Sequence, residues 1–94
     1  MGLLFEWDET KSRANFRKHR ISFGEASTVF GDALSVTIDD PQHSAGELRY
    51  VTLGYSAEHR LLVVVHMDRG DRVRIISARM ATRNERETYE EGEA

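Results

Sequence analysis

The stretch Leu61-Leu62-Val63-Val64-Val65-His66-Met67, then Asp68-Arg69-Gly70-Asp71, then Arg72-Val73-Arg74-Ile75-Ile76-Ser77-Ala78-Arg79 decides the fold. Two apolar, largely β-branched runs joined by a short turn-forming connector read as an antiparallel hairpin. Strict alternation puts Arg72, Arg74, Ile76 and Ala78 on one face of the second strand, and Val73, Ile75, Ser77 and Arg79 on the other. A bulge or strand end near Ser77 would reverse that assignment. The apolar flanks keep Arg74 and Arg79 near a sheet, where rotamers are few and a guanidinium fork can be aimed.

Two further strand patterns precede the hairpin, Leu34–Asp39 and Leu48–Tyr55. Their connectors, Asp40-Pro41 with Ser44-Ala45-Gly46 and then Ser56-Ala57-Glu58-His59, are short enough for a meander. Leu3 to Trp7 reads as a short strand. Asp8 caps a helix over residues 9–19, with Glu9 in its first turn and Lys18 and His19 in its last. Ser22 and Glu25 form a capping box for a second helix at about 23–30, which Gly31 stops, and Thr82 with Glu85 opens a third at about 83–91. The order is β-α-α-β-β-β-β-α: an α+β domain with helices over one face of a mainly antiparallel sheet.

The chain has 94 residues, 39% hydrophobic and 31% charged, which allows one core and therefore one domain, residues 1–94, with 91–94 expected to be a flexible end. No apolar run is long enough to span a membrane, and Met1–Asp8 lacks the pattern of a signal peptide, so a cytoplasmic location is expected. The absence of Cys excludes disulfides, thiolate nucleophiles and Cys-based zinc sites. His19, His43, His59 and His66 show no metal-ligand spacing, and no metal or cofactor is expected.

The net charge of −3 conceals strong segregation. Residues 11–20 hold Lys11, Arg13, Arg17, Lys18 and Arg20 with no acid, and residues 59–79 hold five Arg against Asp68 and Asp71. Lys11, Asn15 and Lys18 recur on one side of the first helix, with His19 at the margin, a row suited to a polyanion. Arg49 can join Arg74 and Arg79 across the sheet. The alternative for these arginines is structural pairing with Glu47, Glu6 or Asp8. His66 reads as a packing residue and His19 as the titrating candidate. Clustered Arg, Lys, Asn and His without metal ligands suit metal-free RNA cleavage, and suit simple nucleic-acid binding equally.

Phe5-Glu6-Trp7-Asp8, Lys11, Asn15, Lys18-His19, Ile21-Ser22-Phe23, Glu25-Ala26, Val29-Phe30 and Asp32 resemble the opening of BrnT-type toxins. So do Glu47-x-Arg49, Gly54, Arg60-Leu61-Leu62-Val63-Val64, Arg74-Ile75-Ile76-Ser77-Ala78-Arg79 and Glu85-Arg86 with Tyr89. The likeness spans roughly residues 3–90. It implies a compact RelE/ParE-like fold and a ribonuclease toxin of a type II toxin–antitoxin system. A BrnA-like ribbon-helix-helix antitoxin that also binds DNA is the implied partner, and a homodimer is conceivable for the isolated chain. Family members usually carry Gly where Arg20 stands, which would cap the first helix in the left-handed conformation.

Carried onto this chain, the resemblance implies an RNA site lined by Lys11, Lys18, His19, Arg49, Arg74 and Arg79. Arg74 and Arg79 would hold the scissile phosphate. Glu47, His19 or Tyr89 would move protons, and Asn15 belongs to the RNA-binding row. Trp7 reads either as core or as a base-stacking platform. The competing readings are a non-catalytic binder of a protein target and an inactive toxin that only pairs with its antitoxin.

Overall fold

The computed structural model describes residues 3–40 and 48–92. The elements are β1 (Leu4–Glu6), α1 (Glu9–His19), α2 (Phe23–Ser27), a 3-10 turn (Thr28–Gly31), β2 (Val36–Asp39), β3 (Tyr50–Tyr55), β4 (Leu61–Arg69), β5 (Arg72–Met80) and α3 (Arg83–Gly92). They form one five-stranded sheet in the order β1-β5-β4-β3-β2. β2 to β5 make an antiparallel meander, while β1 runs parallel to β5. The expected α+β architecture and element order are observed. Of the end expected to be flexible, Glu91 and Gly92 complete α3, while residues 93 and 94 lie outside the described residues.

The β4–β5 loop is Gly70-Asp71, and Gly70 adopts φ +67, the left-handed geometry that tight hairpins require. Asp8 caps α1 by accepting the Lys11 N–H at 3.0 Å. Ser22 likewise accepts the Glu25 N–H at 3.0 Å. The second helix is shorter than its sequence pattern, because after Ser27 the chain tightens into the 3-10 turn and Asp32 is drawn back towards the sheet.

The helices cover both faces of the sheet, which corrects the expectation of a one-sided cover. Leu62, Val64, Ile75 and Ala78 pack under Ile21, Phe23, Ala26 and Val29, bordered by Phe5, Trp7 and Phe30. On the opposite face, Leu53, Leu61 and Val63 pack under Tyr89 of α3, bordered by Val51, Tyr55 and Ala81. The reason lies in β4: its unbroken run Leu61 to Val65 is apolar on both faces, so both must be roofed. Each fully buried Leu, Ile or Phe in these layers contributes about 1.5–3 kcal/mol.

Two stretches of sheet edge left open by short neighbours are closed by side chains. β1 pairs with β5 only at Arg72–Arg74. Beyond it, buried Asn15 of α1 donates to the Ala78 and Ile21 carbonyls, both at 2.9 Å, and accepts the Ala78 N–H at 3.2 Å. β2 pairs with β3 only as far as Leu53. Past that point Asp32 accepts the Tyr55 N–H at 2.9 Å and the Tyr89 hydroxyl at 2.6 Å. Gly54 permits this approach, since a Cβ there would lie 2.9 Å from Ser35 Cβ and 3.0 Å from Val29 Cγ1.

Candidate functional site

The arginine-bearing face is set by one irregularity. Val65 pairs with Ser77, but His66 pairs with Ile75, so Ile76 is an extra residue and the strand bulges there. Arg74 and Arg79 are five positions apart, and strict alternation would send them to opposite faces. With the bulge, Ile75 and Ala78 both enter the core beneath Ile21, α2 and the 3-10 turn. Arg79, opposite Val63, and Arg74, opposite Met67, then share the α3 side of the sheet. Of the two irregularities expected near Ser77, a bulge or a strand end, the strand has the bulge, and it assembles the basic face.

Arg49 precedes β3 on the same side. With Asp40, Val65, Ile76 and Ser77 it lines a hollow of about 150 Å³ beside the bulge. Arg74 donates to Glu6 Oε2 at 3.0 Å, and Arg69 lies 3.8 Å from the same oxygen. Arg79 makes a two-pronged pair with Glu85, at 2.8 and 2.9 Å. Glu85 also accepts the Thr82 N–H at 2.8 Å, completing the capping box of α3. These contacts, chiefly the Arg79 bond, lower the Glu85 carboxyl to about 2. The guanidinium of Arg79 is correspondingly pushed up.

The two arginines thus have carboxylate partners. Glu6 is one of the three carboxylates expected for these arginines, whereas Glu85 is not among them because its capping role explains its presence. A second pair was missed as well. Arg60 binds Glu25 through Nε at 2.9 Å and also through Nη2, and Ser56 donates to the same carboxylate at 2.7 Å. Glu25 is held below its ordinary value, chiefly by the Arg60 bond. Arg60 further donates to the Arg20 carbonyl at 3.1 Å, tying β4 to the end of α1.

Lys11 and Lys18 are exposed on α1, but Asn15 is not part of an exposed row. It is 8% exposed, and its amide is held by the β5 edge and Ile21. At 100° per residue, Lys11 and Lys18 lie about 40° and 60° round the helix from Asn15 on one side. Phe16, Arg20, Arg13 and Arg17 lie roughly 100°, 140°, 160° and 200° round the other way. α1 therefore has a lysine flank and a separate arginine face. His19 is half-buried in its last turn. Arg20 takes φ 61 at the C-cap, the left-handed geometry that glycine adopts most readily.

Trp7 is half-buried against the core, edge-on to Phe23 at 6.2 Å, and its indole N–H donates to Glu9 at 2.9 Å. Tyr89 is buried, its hydroxyl on Asp32, and it anchors α3. Glu47 and His43 lie outside the described residues. Buried His66 shares a hydrogen bond with Thr52 Oγ1 at 2.7 Å, and Thr52 in turn shares one with Thr37 at 2.7 Å. Burial pushes the His66 imidazolium down, against a smaller opposing effect of Asp68. Among the described residues, no group of three His, Asp or Glu side chains is placed to hold a metal ion. No described helix is long and apolar enough to cross a membrane.

Residues 7–85 match the family model described as the ribonuclease toxin, BrnT, of type II toxin–antitoxin systems. The chain belongs to the BrnT toxin family. The crystal structure of the Brucella abortus ribonuclease toxin BrnT superimposes with a TM-score of 0.63 at 20% sequence identity, covering 87% of this chain and 100% of that one. At that identity the likeness speaks for the fold. No curated protein matches the chain. Membership of the BrnT family agrees with a domain whose arginines gather on one sheet face, and the resemblance first drawn from short motifs is thereby supported over most of the chain.

Proposed function

We propose that the protein is a growth-arresting endoribonuclease that acts in the cytoplasm, inhibits translation by cutting RNA without a metal, and is neutralised by a BrnA-like ribbon-helix-helix antitoxin. The observation that carries this reading is the bulge-aligned face. It presents Arg49, Arg74 and Arg79 together, next to an α1 whose Lys11 and Lys18 are exposed. In such a cleavage the 2′-oxygen attacks phosphorus, the bond to the 5′-oxygen breaks, and a proton moves from the first oxygen to a base and from an acid to the second. Charge accumulates on the phosphorane, where guanidinium groups are the natural stabilisers. Metal independence is proposed because the described residues of the face offer cations to the phosphate.

In this reading Arg74 and Arg79 hold the scissile phosphate, released in part from Glu6 and Glu85 as RNA competes for them. Arg49 binds a neighbouring phosphate at the hollow beside Ser77, and Lys11 and Lys18 guide the strand. His19 and Glu47 are the proposed proton-transfer groups. Tyr89 ranks below them because its hydroxyl already serves Asp32. Trp7 and Asn15 support the scaffold through their observed packing and hydrogen bonds.

Purified protein incubated with total RNA in EDTA tests the proposal, with Arg74→Ala and Arg79→Ala as controls. Cleavage that persists in EDTA and drops at least about 100-fold in each folded variant is expected. Intact RNA with continued growth arrest points to a protein target instead.

A further inference from the structure

We propose that the arginine face of α1 is a docking site for an acidic, apolar-anchored segment of the antitoxin, separate from the RNA site. This rests on the toxin–antitoxin reading above. Phe16 is 47% exposed, an unusual place for an aromatic side chain on a helix whose buried residue is Asn15. Beside it, Ser12, Arg13, Phe16, Arg17 and Ser22 line an open hollow of about 400 Å³, room for one large apolar side chain and its neighbours.

Around that hollow stand Arg13, Arg17 and Arg20. Among the described residues no carboxylate forms an ion pair with any of them, whereas Arg60, Arg69, Arg74, Arg79 and Arg83 have one; Arg72 and Arg86 also lack one, but they are not clustered round an exposed aromatic ring. Arg20 lies 5.9 Å from the Phe16 ring centroid and occupies one ring face. That arrangement leaves the hollow for an aliphatic anchor, with carboxylates reaching the three guanidiniums. Arg13, Arg17 and Arg20 repeat at four and three residues, the interval at which carboxylates recur on one face of a partner helix.

A second copy of this chain also carries acids, on α3, and α1 against α3 would close as a two-fold dimer. Glu85 is already paired with Arg79, however, and Glu87 lies 3.8 Å from Arg83. A separate acidic partner suits the three guanidiniums better. The position of the face also separates it from the proposed RNA path: it lies on the far side of α1 from the lysine flank.

Titration calorimetry of the full chain with the antitoxin encoded in its operon tests the inference. Phe16→Ala and the double variant Arg13→Glu/Arg17→Glu are compared with wild type. Both sites are exposed, so thermal midpoints and RNA cleavage should be unchanged, while Kd rises at least about tenfold for each. Affinities within twofold of wild type overturn the proposal. So does a double variant that loses RNA cleavage but keeps the antitoxin. Self-association of the wild type that the double variant abolishes, with antitoxin affinity intact, assigns the face to a second copy and also overturns it. Antitoxin binding does not require catalysis, so an inactive protein that binds through Phe16 sinks the ribonuclease reading alone. A wild type that binds no antitoxin removes the partner reading itself.

Discussion

α1 and the sheet both carry dense positive charge, and they treat it differently. On the sheet, Arg60, Arg69, Arg74 and Arg79 each meet a carboxylate within the domain. Along α1 and its cap, Arg13, Arg17, Lys18 and Arg20 form no ion pair among the described residues, and the Lys11 side chain acts on Asp8 only through its charge. The four paired arginines are therefore oriented and partly neutralised before any ligand arrives, while Arg72 of β5 has no such pair among the described residues; the helix keeps its long-range field for whatever approaches. Charges of the first kind contribute to stability. Those of the second kind repel one another and oppose folding slightly, so their retention suits a role in contact with something else.

The two regions meet in polar terms at Asn15, and replacing it is the largest expected disturbance. Asn15→Ala leaves the Ala78 N–H and two carbonyls to find other partners, at a cost of about 3 kcal/mol in urea unfolding. A loss under about 1 kcal/mol would show that packing alone seats α1 on β5.

Next in size is the Arg79–Glu85 pair. Glu85→Gln should cost about 1–2 kcal/mol, allowing for partial exposure of both side chains. Acid titration should reproduce the loss. The folded carboxyl lies at about 2, below its ordinary 4.5, so the stabilisation is complete above pH 4.5 and disappears as pH falls towards 2. His66 adds an earlier decline: its imidazole is harder to protonate when folded, so stability is lost as pH drops below about 6.5. A denaturation series from pH 7.5 to 2.5 should show both steps, and His66→Gln should remove the first.

Arg20→Gly tests the helix end from the opposite direction. The left-handed φ of 61 favours glycine, so the variant should gain about 1 kcal/mol despite losing the contact with Phe16. Smallest of all should be Lys11→Ala with Lys18→Ala. Unfolding should shift by less than about 0.5 kcal/mol while RNA affinity and its salt dependence both fall. A large stability change here would break the contrast between the two regions.

Local grammar made much of this fold legible. The Asp8 cap and the residues that follow gave α1 its observed span, residues 9–19, and the hairpin runs gave β4 and β5 to within two residues. The unbroken apolar run in β4 also carried the information that both faces are covered, although alternation elsewhere suggested one. What stayed hidden depended on distant partners. Asn15 looked like part of a cationic stripe because its ligand, Ala78, lies 63 positions away. Glu85 looked fully explained by its cap, so its second role on Arg79 went unread. The bulge was foreseen as a possibility near Ser77, but only pairing with β4 locates it and brings Arg74 and Arg79 to one face.

The side-chain covers on the open edges have a consequence for handling the protein. An uncovered strand edge is a template for another molecule's strand, and the stretches at Ala78 and Tyr55 are closed by Asn15 and Asp32. Each cover belongs to a helix or turn outside the hairpins themselves. Conditions that loosen α1 or the Asp32 turn should therefore produce β-rich aggregates before global unfolding, and concentrated stocks should keep best where both covers stay seated.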